Sequence, residues 1–120
     1  MHTLAHYAVA FVGLLHFYFL VLEMFLWTRP AGLRAFGLTP ERAEASKVLA
    51  ANQGLYNGFL GAGLLWSLTE GSHGFHIALF FLACVIIAGV YGAATANRKI
   101  LYVQALPAII ALILIHIPMH

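Results

Sequence analysis

Glu23 is the only acid inside a long apolar stretch of this 120-residue chain. A carboxyl in such surroundings can give up or take a proton, or hold a cation, provided other polar groups meet it. Candidates to meet it are Asn52, Gln53, Tyr56 and Asn57 in a second apolar stretch, Tyr91 in a third and Gln104 in a fourth. His16 lies seven residues before Glu23, on the same helix face and about 10 Å along the axis. A carboxyl among amides and tyrosines suits acid–base chemistry, or the orientation of an amphipathic molecule. The plainer reading is a polar clasp that fixes helix register, worth about 1 kcal/mol per hydrogen bond in lipid. Taken alone, His16 reads as a satisfied buried histidine.

A second set of chemistry-bearing residues is the histidines. His2 and His6 are four apart, His73 and His76 three apart, His116 and His120 four apart. Such spacings put two imidazoles on one helix face, which suits a divalent metal such as Cu, Zn or Ni. No Asp occurs in the chain, and Cys84 lies away from these pairs. The alternative is that the histidines are interfacial residues at frayed ends.

These residues need elements to hold them. Hydrophobic residues make up 62% of the chain and charged ones 8%. About a quarter would be charged in a soluble domain. Four apolar spans are expected, at about 4–27, 48–68, 75–96 and 100–117, in a single domain over 1–120. Each is close to the ~20 residues that a helix needs to cross a bilayer. Backbone groups in lipid must satisfy one another, so the expected fold is an all-α four-helix transmembrane bundle. The alternating segments of a membrane β-barrel are missing. The first span lacks a basic leader and is too long for a signal peptide core, so it reads as a retained span.

Charge gives an orientation. Arg29, Arg34, Arg42 and Lys47 lie between the first two spans, and Arg98 and Lys99 between the last two. The other connection and both termini carry none. Basic residues beside spans stay cytoplasmic, so both termini are expected outside, in a multi-pass protein of the cell inner membrane. This places Glu23, Asn52–Asn57, Tyr91 and Gln104 at one depth near the cytoplasmic leaflet, and the histidine pairs at the outer face. The net charge of +2 follows from the same pattern and gives no case for nucleic-acid binding. The single cysteine allows no internal disulfide.

Local signals refine the elements. Arg29-Pro30-Ala31-Gly32 has turn composition. Leu33–Leu38 suits the headgroup surface. Thr39-Pro40-Glu41 reads as a helix start that can run directly into the second span. Gly54, Gly58 and Ala62 are four apart, as are Gly89 and Ala93, with Gly92 beside them. Small residues at this spacing let helices approach closely, or else leave a slot for a flat ligand. Pro107 removes an amide donor, frees the carbonyl of Val103 and predicts a kink.

The stretches HFYFLVLEMFLW (16–27), LTPERAEASKVLAANQGLYNGFLGAGLLW (38–66), CVIIAGVYGAAT (84–95) and VQALPA (103–108) resemble one family. It is the small bacterial and fungal membrane proteins catalogued as domain of unknown function 1304. NQGLYNGFL and LEMFLW are the most specific segments, and the resemblance covers nearly the whole chain. It implies a four-span protein of about this length, without a particular activity. The residues it implies are typical are Glu23, Asn52, Gln53, Tyr56, Asn57, Tyr91 and Gln104. The outer histidines lie outside its pattern.

Three functions fit these readings. The first is binding of a small amphipathic molecule or lipid, with isomerase-like chemistry at Glu23. The second is an accessory subunit of a larger membrane complex, or a homo-oligomer, docking through glycine-rich and aromatic faces. The third is a proton-coupled transporter. Small multidrug resistance transporters share the length, the four spans and one membrane glutamate in the first span. Here, however, Glu23 lies near one end of its span, and the charge bias opposes dual-topology assembly.

Overall fold

A computed structural model describes residues 1–118 of the chain. His120, proposed above as a metal ligand, lies outside the described residues. The described chain is all-α, with five α-helices: α1 (Thr3–Met24), α2 (Pro30–Phe36), α3 (Pro40–Ser67), α4 (Gly74–Thr95) and α5 (Leu106–His116). A 3-10 turn (Gly71–His73) precedes α4, and a π-helical segment (Leu101–Ala105) leads into α5. Two helical stretches, Thr3–Met24 and Gly71–Thr95, are long and apolar enough to cross a membrane. The apolar helix at Leu101–His116 is shorter. The chain forms two compact units: Leu14–Gly61, and Met1–Gly13 with Ala62–His120.

In the Leu14–Gly61 unit, α3 begins as its sequence requires. Thr39 caps it, its hydroxyl accepting the Arg42 N–H at 3.2 Å. Pro40 and Glu41 fill the first turn, where a missing amide costs nothing and an acid complements the helix dipole. The connection before it differs from the expected turn. Pro30 starts a short helix, because its fixed φ suits the first helical position. Gly37 ends that helix in the left-handed region, with φ 61°. Trp27 follows the end of α1. Its ring packs on Phe36 with centroids 4.8 Å apart. Its indole N–H donates to the Ser46 hydroxyl at 3.1 Å, and that hydroxyl donates in turn to the Arg42 carbonyl at 2.7 Å. Ser46→Ala is expected to cost about 1 kcal/mol, since it leaves the indole N–H without its partner. A lower Tm in detergent checks this.

In the other unit, small residues set the packing. A Cβ added at Gly89 would lie 2.9 Å from Ala105 Cβ and 3.0 Å from its backbone N, so α4 and the π-helical segment pass in direct backbone contact. Ala78, Leu82 and Val85 of α4 and Ala105, Ala108 and Ala111 beyond it are fully buried. The kink expected at Pro107 takes the form of a widened turn. The Leu106 N–H reaches back five residues to the Leu101 carbonyl. A π-turn just ahead of the proline accommodates a ring that would otherwise strike the carbonyl four residues back.

Candidate functional site

Glu23 is 3% exposed, one residue before the end of α1. His16 and Glu23 are both buried, seven residues apart on one face of the helix. His16 meets the Phe19 ring edge-on, centroids 5.3 Å apart. On α3, the buried positions Ala43, Ala50, Gly54, Asn57 and Gly61 follow one another at helical spacing. Four of these five have little or no side chain. A Cβ at Gly54 would come within 2.7 Å of Met24 Cγ, 3.0 Å of Glu23 Cβ and 3.3 Å of the Leu20 carbonyl. The missing side chain is therefore what lets the two helices touch at the level of Glu23. Asn57, one turn further along the same face, donates its side-chain N–H to Glu23 Oε1. Glycine and asparagine thus cooperate: the first gives the approach, the second supplies the partner.

The other expected members of the site each have a local setting of their own. Asn52 is exposed, and its amide donates to the Val48 carbonyl of its own helix at 3.1 Å. Gln53 is exposed and Tyr56 is 59% exposed. Asn52 and Tyr56 lie round the helix from Asn57, whereas Gln53, four residues before Asn57, borders the same face. Tyr91 and Gln104 belong to the other unit. Tyr91 is 70% exposed there, and Gln104 is half-buried within the π-helical segment. Gly58 keeps its packing role, since a Cβ there would meet Leu20.

The described histidines of these pairs, His2, His6, His73, His76 and His116, lie in the other unit and are engaged in local contacts. His2 Nδ1 accepts the Ala5 N–H at 3.2 Å, and Nε2 donates to the Leu114 carbonyl at 2.9 Å. A neutral imidazole has one acceptor and one donor, so His2 caps α1 and ties it to α5. Sequence reading missed this role, which the histidine just ahead of the helix start could have signalled. His6 Nδ1 donates to the His2 carbonyl, and His116 Nδ1 donates to the Leu112 carbonyl at 2.7 Å. His76 and His116 each meet the Phe75 ring edge-on. His73 closes the 3-10 turn. Among the described residues, no three His, Cys, Asp or Glu side chains gather where they could hold a metal ion. An open recess of about 380 Å³ lies at the same end of α5, lined by Met1, His2, Ile115, His116, Ile117 and Pro118.

Buried acid, amide and glycine on α1 and α3 all fall within residues 10–116. These residues match the model of a family described as Protein of unknown function (DUF1304). The chain belongs to that family. It is 38% identical over 104 residues to a protein of Lactococcus lactis subsp. lactis (strain IL1403) named Uncharacterized protein YpaA. The match covers 85% of this chain and 87% of that protein. No solved structure matches the chain.

Chemically, the Glu23–Asn57 pair is a carboxyl oriented by a neutral donor. It leaves the amide oxygen of Asn57 as an acceptor beside the carboxyl. Such a pair can accept a hydrogen bond from a hydroxyl or ammonium group, or exchange a proton with a bound molecule.

Proposed function

We propose that this family member is a four-span protein of the cell inner membrane with both termini outside the cytoplasm. In this reading its Glu23–Asn57 pair binds the polar end of a small amphipathic molecule or lipid near the cytoplasmic leaflet. The observation that carries the reading is the burial of an ionisable carboxyl among apolar residues. A clasp between α1 and α3 needs only two neutral groups, because an amide at position 23 could accept the same hydrogen bond from Asn57. The acid adds one thing to the clasp, an exchangeable proton or a negative charge. Ionisable groups in membrane spans are costly and mark ligand or proton sites. Isomerase-like acid–base chemistry on the bound molecule would use the same carboxyl. The four-span reading is supported by two apolar helices of sufficient length, a third shorter one, and basic residues confined to two connections. Reporter fusions at the two termini test it, and both are expected to report the outer side.

Glu23→Gln tests the site. The variant keeps a hydrogen-bond acceptor for Asn57, so its unfolding temperature is expected to stay close to that of the wild type. Amphipathic molecules that raise the Tm of the wild type are expected to have no effect on the variant. Equal shifts in both proteins would remove Glu23 from the site.

A second reading has its own observation. Asn52, Gln53 and Tyr56 turn outward on α3, and amides facing lipid call for a partner. This favours assembly with another membrane protein chain.

A further inference from the structure

The outward face of α3 is built differently from that of α1. On α1 the exposed residues Leu14, Tyr18, Val21 and Phe25 follow at three- and four-residue spacing, all of them apolar or aromatic. That composition suits lipid chains. On α3 the exposed residues Ala45, Val48, Asn52, Leu55 and Phe59 follow at the same spacing, with an amide at the centre of the row. Asn52 lies about 7.5 Å along the axis from Lys47 at 1.5 Å per residue, inside the hydrocarbon if Lys47 marks the headgroup boundary. One N–H of Asn52 is used on the Val48 carbonyl. The second N–H and the oxygen are a donor and an acceptor on one outward-facing group.

We infer that this row is the contact between two copies of the chain, with α3 packed parallel to α3 and Asn52 paired with its equivalent. The inference rests on α3 spanning the membrane, as proposed above. Three features name a second copy as the occupant. An amide is complementary to itself, because each copy donates to the other's oxygen, and a two-fold interface presents the same patch from both sides. The asymmetric placement of basic residues inserts every copy in one orientation, so equal residues meet at equal depth. The row's spacing, which the α1 row shares, fits a left-handed parallel helix pair, and the asparagine that α1 lacks is what fixes register in such a seam. The neighbouring Ala45 is small enough to let the cytoplasmic ends of the helices converge.

The experiment is disulfide trapping in native membranes. In a Cys84→Ala background, which removes the only native thiol, single cysteines are placed at Val48, Leu55 or, as the lipid-facing control, Val21. Mild oxidation is expected to give covalent dimers at positions 48 and 55 and none at 21. In detergent, Asn52→Leu is expected to weaken dimerisation about tenfold, in line with one interhelical polar contact in a membrane. Positions 21, 48, 52 and 55 all lie on exposed surface, so these four substitutions leave folding intact. Equal trapping at 21 and 55, or a monomer at every protein-to-detergent ratio, overturns the proposal, as does a complex of one copy with a different protein. A membrane-impermeant maleimide tests the underlying reading separately. If it labels Leu55→Cys, α3 is outside the bilayer and the four-span reading fails. If Leu55→Cys is shielded and untrapped, only the dimer fails.

Discussion

Asn57→Leu is expected to lower the stability of the protein by about 2 kcal/mol, the cost of a buried polar group that loses its partner. The side chain is buried beside Glu23 and is its hydrogen-bond donor. Leucine has a similarly branched side chain but offers no donor, so the carboxyl stays in apolar surroundings with that bond unmade. The double variant Asn57→Leu with Glu23→Leu removes both polar groups together. It is expected to recover most of the lost stability, since replacing a buried polar pair by apolar groups is often close to neutral. Thermal unfolding of the wild type, both single variants and the double variant in one detergent completes the cycle. If Asn57→Leu melts with the wild type, the two side chains do not interact and the pair has no role in stability.

Gly32→Ala is expected to be the more damaging substitution, at about 3 kcal/mol, the upper range for overpacking. An added Cβ would overlap the Leu26 carbonyl oxygen, and would lie 2.7 Å from its carbon and 2.9 Å from Trp27 Cα. All of these are backbone atoms, so no side-chain rotation relieves the clash. Relief requires α2 to move, and with it the Trp27–Phe36 packing and the Trp27–Ser46 hydrogen bond. The expected signature is a lower Tm together with a shifted tryptophan emission. An unchanged Tm and spectrum would mean that α2 is not seated against the end of α1.

The helices of this chain are legible in its sequence because their apolar runs are long and their punctuation is clear. Thr39-Pro40-Glu41 marks the start of α3 by capping chemistry, and the hydroxyl of Thr39 makes the expected bond. Pro30 was harder to read, because the same residue suits a turn or the first position of a helix. The pairing of Glu23 with Asn57 was reachable in part. Depth selected five polar residues on α1 and α3, but depth does not say which way a side chain turns. Rotation around the helix does. Asn57 shares its face with Ala43, Ala50, Gly54 and Gly61, where small residues admit a neighbouring helix. Asn52 and Tyr56 lie on the other flank among Val48, Leu55 and Phe59. Reading the small-residue periodicity together with depth would have separated one inward amide from the outward ones. The π-turn before Pro107 was legible only as a kink, since a proline requires relief of its clash without dictating the form. The His2 bonds could not be read from a pairing rule that considers histidines only as metal ligands.

The carboxyl of Glu23 is proposed to hold a molecule as well as to fasten α1 to α3. Native mass spectrometry of the protein, extracted from its own membrane in mild detergent, measures this directly. The wild type is expected to carry a bound small molecule or lipid that Glu23→Gln, folded to the same Tm, has lost. The same adduct on both proteins, or on neither, would contradict the claim and leave Glu23 and Asn57 as a clasp.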